Sequence, residues 1–440
     1  MEAAENFIRT PICIVGAGPA GVAASMRLSS QGISHILVDA SEFPRHKSCG
    51  DIITSGVIRA LNRLNPEIIQ GLKSSGSLNP IWQSHIYPPG GKALTLDFKP
   101  MDRIPGEAGC YSVSRHSLDA ALLEKVRKCS LTVLKEGCRV KSIEYREDGV
   151  FLGTEGGPGI FAELVILATG SGSQLPAKAG FPIPDEDCAV GIRAHYENVV
   201  WPEQQTSLFL YPDCMPGGLY ITPLPDGKCN VNLVISLRKA RKEKTRLREL
   251  MDEQLASIPQ LKEAFAMARI AGNPEGSRLF LGLRKRRVSR ERLLLAGDAA
   301  GLIEFFSGNG IPQAYGSGML AADVAIQAGL KGNFSAEYLR EYDRLLHQKY
   351  MSGRFLARFF FKFLHWPVAG RLLLRFLSFL ASKPHSNQLL LDLLYHPKPL
   401  LQFLNPIFWI KLILRGKSSA DKNTMALPLH SDASAGQLVA

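Results

Sequence analysis

The eight cysteines of this 440-residue chain include no Cys-x-x-Cys pair, and its ten histidines show no His-x-x-x-His spacing. The first absence argues against a zinc ribbon or a secreted disulfide framework, so reduced, intracellular thiols are expected. The second leaves no metal-ligand pattern, and no metal site is expected. No uncharged apolar run reaches the ~18 residues that a membrane-spanning helix needs. The longest, Pro399 to Ile410, is bounded by Lys398 and Lys411 and interrupted by Asn405-Pro406. The acidic, short N-terminus MEAAENFIRT leads straight into a strand and shows no signal peptide. A cytoplasmic protein is therefore expected, peripheral at most to a membrane. Internal repeats are lacking too. The balance of 45% hydrophobic and 21% charged residues is that of a folded globular chain, which excludes a disordered or collagen-like one.

Acidic residues are scarce where basic ones gather. The net charge is +12, yet residues 331–417 alone carry 14 Lys and Arg against four Asp and Glu. That segment is rich in Phe and Leu, which disfavours nucleic acid as a partner and suits an anionic membrane surface. Arg354, Arg358 and Lys362 recur every four residues, Phe355, Phe359 and Phe363 run beside them, and Arg371 and Arg375 repeat the spacing among leucines. A basic amphipathic helix is expected, with its cations on lipid phosphates and peripheral membrane contact through 351–417. The alternative is that its apolar face packs on the body or forms a dimer.

The first element is legible in detail. Ile12 to Val15 is a short β-branched strand, followed by Gly16-Ala17-Gly18-Pro19-Ala20-Gly21 and a helical pattern to about Ser30, with Gly32 at its C-terminal end. Ile36 to Val38 forms a second buried strand ending in Asp39, 18 residues after Gly21. In this βαβ unit Gly16 permits the tight turn, Gly18 lets backbone approach a pyrophosphate, and Gly21 lets helix and strand pack closely. Asp39 can accept hydrogen bonds from ribose hydroxyls. A dinucleotide site is expected.

Two further apolar strands end in glycine: Leu164–Leu167 before Ala168-Thr169-Gly170, and Arg292–Ala296 before Gly297-Asp298. They read as central parallel strands, whose C-terminal ends hold the ligand in an open α/β sheet. Residues 81–100 and 188–236 instead alternate apolar and polar residues with Gly and Pro between, as an antiparallel sheet does. Residues 241–270 and 312–417 read as helical. The expected architecture is α/β: a Rossmann-like FAD-binding domain of residues 1–75, 105–180 and 280–330, an inserted antiparallel substrate domain of 76–104 and 181–279, a basic helical extension over 331–417, and a disordered tail over 418–440. The dinucleotide is expected to be FAD, because LLLAGDAAG places Asp298 at a strand end, suited to ribityl or ribose hydroxyls, before a small-residue helix start that can support the isoalloxazine edge.

GAGPAG, Phe43-Pro44-Arg45, Ala168-Thr169-Gly170 and GDAAG occur in this order over residues 12–320. On these motifs the chain resembles FAD-dependent oxidoreductases of the para-hydroxybenzoate-hydroxylase-like fold. Within that group, Lys47-Ser48-Cys49-Gly50-Asp51 is similar to the KxCG signature of the geranylgeranyl reductase family. Gly218 to Gly227 resembles that family's YxWxFP substrate-cavity motif, with Tyr220 where the family has Trp and Thr222 where it has Phe. Ser307 to Ile311 is similar to its glycine loop beside the flavin, with Phe305 where a proline is common. The Gly-Glu-Ser element and WxWxIP stretch of flavin-dependent halogenases do not occur, which argues against halogenation.

The resemblance implies that Gly16, Gly18, Pro19, Ala20, Gly21, Asp39, Arg45, Cys49, Gly50, Arg115, Gly170, Asp298, Gly308, Gly310 and Ile311 hold FAD. Arg45 is expected at the phosphates, with an exposed loop arginine as the alternative. Cys49 and Tyr220 are the catalytic candidates it implies. The implied reaction is reduction of a carbon–carbon double bond in an isoprenoid or other hydrophobic substrate, Cys49 or a nearby water supplying the proton. The absence of a second GxGxxG leaves NAD(P)H docking transiently, or reduced ferredoxin or a similar carrier protein, as electron donor. A monooxygenase of the same fold using NAD(P)H and oxygen, and a non-catalytic membrane-associated flavoprotein, are the alternatives.

Overall fold

The strand Phe7–Val15 becomes fully buried over its last four residues, because it lies at the centre of a parallel sheet covered on both faces. The computed structural model describes residues 7–49, 51–89, 93–98, 108–305, 308–351 and 354–381. Gly50, residues 382–417 of the expected extension and the expected tail 418–440 lie outside them.

The eight-stranded sheet runs Ser289–Arg290, Leu293–Leu295, Gly159–Leu167, Phe7–Val15, His35–Val38, Thr132–Lys135, with Val140–Arg146 and Gly149–Thr154 added as an antiparallel meander on Gly159–Leu167. The last five strands of the first list are mutually parallel. Their C-terminal ends therefore bring Gly16, Asp39, Thr169 and Gly297 to one edge.

The helix Pro19–Ser30 packs on the helix Ile311–Leu330 through small residues. A side chain at Gly318 would collide with the carbonyl of Ala20, so this close crossing requires glycine. The crossing places the N-termini of both helices beside the same edge of the sheet.

The seven-stranded sheet runs Arg269–Phe280, Cys188–Glu197, Cys229–Ser236, Gly217–Pro223, Gln205–Phe209, Gln83–Tyr87, Leu94–Asp97. It is antiparallel except where Gln205–Phe209 meets Gln83–Tyr87 in parallel. One face packs Leu219, Ile221, Val231, Leu233 and Ile235 against Met251, Leu255 and Leu261 of the helices Leu247–Ser257 and Pro259–Ala264. The opposite face carries the alternate residues Arg193, His195, Tyr220, Thr222, Asn230 and Asn232, and it turns toward the parallel sheet. Ile52–Thr54, Cys110–Ser112 and Asn79–Ile81 form a small third sheet.

Two expectations change. The helical reading of 241–270 ends at Ala264, and a 12-residue strand starts at Arg269. Gly272, Asn273, Pro274 and Gly276 disguise that strand; it tolerates them because it is an edge strand with a register shift opposite Arg193 and His195.

The helix Arg354–Phe363 departs from expectation at its first residue. Arg354 is buried and donates from Nε to the carbonyl of Tyr350 at 3.0 Å, while Arg358 lies 3.7 Å from Glu186. Leu356, Ala357 and Phe361 pack inward on Leu281, Leu283 and Ile303. The residues expected to meet lipid therefore include one that serves the core, and it is the Phe355–Phe359–Phe363 ridge that faces out. Among the described residues no helix is long and apolar enough to cross a membrane.

Candidate functional site

The turn after Val15 is built for an anion. Gly16 adopts φ +108° and its N–H donates to Val38 O at 2.7 Å, closing the turn onto the neighbouring strand. A side chain at Gly16 would strike the carbonyl of Ala168, and one at Gly21 would strike Gly16 O. Gly18 is different. Its φ is an ordinary −76°, and the nearest atom to an added Cβ is Arg45 Nη2 at 3.8 Å. The chain's own packing does not require glycine there; a ligand approaching the backbone would. Gly18 caps the helix without a side-chain hydrogen bond, and Pro19 follows at its start, so the positive helix end is left to a phosphate.

Asp39 is held beside this turn. The Ala17 N–H donates to Oδ2 at 2.8 Å and the Ser41 N–H to Oδ1 at 2.9 Å, which fixes the carboxylate and leaves lone pairs for hydroxyls. Arg45 stacks on Phe43 at 4.7 Å, and its Nη2 stands 3.8 Å from both Asp39 and Asp119. Its position beside Gly18 suits the phosphate role. Arg45 Nε and Thr169 Oγ1 are buried with no hydrogen-bond partner among the described residues. Orphaned polar atoms beside the free helix end at Gly18 and Pro19 fit a dinucleotide.

Arg115 is buried and donates to Asp119 through Nε at 2.9 Å and Nη2 at 2.6 Å. Burial acts to lower its pKa, but Asp119 and Cys49 more than offset this, so it stays cationic. Lys47, which the motif reading did not single out as a site residue, reaches Gly170: its Nζ lies 2.8 Å from where a Gly170 Cβ would sit. Burial and then the nearby Arg115 lower the pKa of this ammonium, with Asp298 pulling the other way. Asp298 in turn meets the glycine loop, its Oδ1 lying 2.9 Å from a Cβ added at Gly310. Ile311 begins the next helix, its N–H donating to Asn309 Oδ1 at 3.3 Å, and Gly308 takes the left-handed conformation in the loop that leads to it. Asp39, Arg45, Arg115, Gly170, Asp298, Gly310 and Ile311 thus converge on the edge that starts at Gly16. Gly50 lies outside the described residues.

Cys49 stands where this cleft meets the seven-stranded sheet. Its carbonyl accepts from Asn230 Nδ2 at 2.9 Å. Burial raises the thiol pKa; Arg115 opposes the rise, Asp51 adds to it, and the net effect keeps the proton on sulfur. Tyr220 lies on the sheet directly opposite Asn232, whose Nδ2 donates to Asn230 Oδ1 at 2.8 Å. A hydrogen-bonded pair of asparagines therefore joins the strand position beside Tyr220 to the Cys49 loop. Burial pushes the Tyr220 phenol up to about 12, helped by Glu304.

Arg193, His195 and Asn230 escaped the sequence reading, and Asp51 was read only as the end of the Lys47–Asp51 motif. Asp51 is fully buried, at φ +55°, and its Oδ2 accepts from Asn230 Nδ2 at 2.6 Å and from His195 Nε2 at 3.3 Å. Arg193 lies 3.6 Å from the same oxygen, pairs with Glu275 at 2.9 Å and donates to Lys47 O at 3.2 Å. The polar face of the sheet holds this loop at Lys47, Cys49 and Asp51. The only signal in the sequence was polar residues at alternate positions of 193–195 and 230–232, where a core strand would be apolar.

Known proteins share this domain and this fold. Residues 9–348 match the FAD binding domain family, and the chain belongs to that family. Digeranylgeranylglycerophospholipid reductase 2 of Methanosphaera stadtmanae is 27% identical over 344 residues, covering 76% of this chain and 82% of its own length. The digeranylgeranylglycerophospholipid reductase of Thermoplasma acidophilum is 24% identical over 352 residues, covering 77% and 83%. A solved geranylgeranyl bacteriochlorophyll reductase-like protein of Thermoplasma acidophilum superposes with a TM-score of 0.74 at 19% identity, over 91% of this chain and 99% of that one. The flavin-dependent halogenase CmlS shares the fold, with a TM-score of 0.68 at 20% identity over 92% and 78%. The protein is an FAD-dependent oxidoreductase, and among its relatives it is similar to members of the geranylgeranyl reductase family.

Proposed function

We propose that this protein reduces carbon–carbon double bonds in an isoprenoid chain, the relatives named for digeranylgeranylglycerophospholipid pointing to a lipid-borne one. Cys49 carries this reading: a thiol kept protonated by burial, in a loop clamped between the FAD cleft and the substrate-facing sheet. Reduced FAD, when bound, supplies hydride to one alkene carbon. Gly16, Gly18, Gly21, Asp39 and Arg45 would hold the dinucleotide's adenosine and pyrophosphate portion, and Asp298, Gly310 and Ile311 the flavin side. Cys49 would deliver the proton that the other alkene carbon needs, and recover it from solvent through the cleft. Tyr220 keeps its phenol proton at neutral pH and would line the cavity as a hydrogen-bond donor. The sheet would exclude water, which keeps the proton donor a defined group. Electrons would arrive from NAD(P)H or from a reduced ferredoxin-like carrier.

The test is anaerobic. The full-length protein, reduced photochemically, is mixed with a digeranylgeranyl glycerophospholipid or with geranylgeranyl diphosphate. Oxidised-flavin absorbance is expected to return only with alkene present, with saturated bonds appearing by mass spectrometry. Cys49→Ala should slow that return by about 10²–10⁴-fold. Because burial raises the thiol pKa, the proton-donating form persists above the ordinary thiol value of ~8.5. The wild-type rate should therefore hold through that pH and fall only beyond it, while the residual Cys49→Ala rate should not show that fall. Indifference to every alkene, with rapid reaction toward oxygen and an oxygenated product, would replace this reading with the monooxygenase.

A further inference from the structure

Among the described residues, seven of the thirteen exposed large hydrophobic side chains fall between positions 355 and 379: Phe355, Phe359, Phe363, Trp366, Val368, Leu372 and Phe379. Three of them touch ring to ring. Phe359 and Phe363 stack at 6.1 Å with rings 10° apart, and Phe363 meets Trp366 at 6.0 Å. The next helix, Pro367–Ala381, carries Val368 and Leu372 one turn apart. The ridge is not core turned out by accident, because the same helices also have a properly packed side. Leu356, Ala357 and Phe361 are buried on Leu281, Leu283 and Ile303, and Leu364 and Leu374 on Met215.

Charge identifies the partner. No Asp or Glu occurs between Asp343 and Asp392. Lys362, Arg371 and Arg375 are exposed around the ridge, and neither Arg371 nor Arg375 makes an ion pair among the described residues. Aromatic and aliphatic residues in the middle with unpaired cations at the rim match the acyl-to-headgroup boundary of an anionic bilayer. A second copy would press these cations against their own kind. The segment 383–417 of this chain would do the same, since Lys383, Lys398, Lys411, Arg415 and Lys417 outnumber its one acid, Asp392.

We propose that the Phe355–Phe379 surface docks the protein on an anionic lipid bilayer. Phe359, Trp366 and Leu372 enter the acyl boundary, and Lys362, Arg371 and Arg375 meet lipid phosphates. The docked helix is joined to the cleft by Phe361, which packs edge-on against Phe305 at 5.2 Å, a few residues before the Gly308–Ile311 loop. Docking thus sets the glycine-loop end of the cleft toward the membrane. This surface does not depend on the reduction chemistry, so a vesicle assay can fail without touching the reductase reading.

The experiment is flotation of the full-length flavoprotein with vesicles of phosphatidylcholine containing phosphatidylglycerol, against phosphatidylcholine alone, at low and high salt. Binding is expected to the anionic vesicles and to fall with salt. The triple variant Phe359→Ser, Trp366→Ser, Leu372→Ser should partition at least ~100-fold less. The charge variant Arg371→Glu, Arg375→Glu should partition at least ~10-fold less. Both replace exposed side chains and should retain bound flavin, which checks folding. Wild-type protein that ignores anionic vesicles, or variants that bind as it does, would overturn the proposal. So would a wild-type dimer that the triple variant dissociates, or hydrogen-exchange protection of 383–417 that the variant removes, each assigning the surface to another occupant.

Discussion

Gly18→Val should purify as a folded protein without yellow colour. Most glycine substitutions in nucleotide-binding turns confound two effects, because the glycine is needed both by the fold and by the ligand. Here the two separate. Gly16 has φ +108° and faces the Ala168 carbonyl, and Gly21 faces the Gly16 carbonyl, so a side chain at either breaks the turn itself. Gly21→Val is expected to cost about 3 kcal/mol or more as overpacking against backbone that cannot yield. Gly18 has an ordinary backbone conformation and 3.8 Å of clearance to a flexible arginine. Valine there replaces a good helix cap with a poor one, a loss of about 1 kcal/mol. Its methyl groups would stand at the helix end where the pyrophosphate must approach. A loss of about 3–4 kcal/mol in binding, ~10²–10³-fold, is expected. Flavin content after purification, titration with added FAD and thermal unfolding of the apoprotein measure all three quantities. A yellow Gly18→Val protein would remove the pyrophosphate from this turn.

Much of this site could be read from sequence because its parts are local. GAGPAG and Asp39 belong to one βαβ unit, and burial of the strands on both faces writes itself as continuous apolar runs. The polar grip on the Cys49 loop could not be read that way. Asp51 meets Arg193, His195 and Asn230, residues more than 140 positions later, and an alternating strand pattern shows which residues share a face without showing what faces them. The strand Arg269–Phe280 was hidden by glycines and a proline that only an edge position tolerates. The helix Arg354–Phe363 poses a different problem. Its periodicity correctly separates a basic from an aromatic side, but the usual rule would send the charges outward. The Tyr350 carbonyl takes Arg354 into the core, while Lys362 on the same side stays exposed beside the aromatic ridge.

Replacing Asp51 should show how strongly that sheet holds the loop. Its side chain has no solvent exposure, and one oxygen serves Asn230, His195 and Arg193 together. Removing one member of a buried charge network costs about 3–5 kcal/mol when the partner is stranded. Here Arg193 retains Glu275 and Asn230 retains the Cys49 carbonyl, so the electrostatic part should fall at or below the lower bound, about 3 kcal/mol. Asp51→Ala also forces alanine into φ +55°, adding about 1 kcal/mol, which asparagine avoids because its side chain tolerates the left-handed region. Asp51→Asn keeps the shape and can present its carbonyl to Asn230 and His195, so about 1–2 kcal/mol, the share of the charge itself, is expected for it. Chemical denaturation of the two variants separates backbone from charge. A double-mutant cycle with Arg193→Met then tests whether the 3.6 Å approach matters: coupling of about 1 kcal/mol or more is expected for groups in one buried network. Coupling near zero would mean that Asn230 and His195 hold Asp51 without help from Arg193. Arg193 would then serve Glu275 and the Lys47 carbonyl, and the position of the thiol would rest mainly on the Asn230 amide.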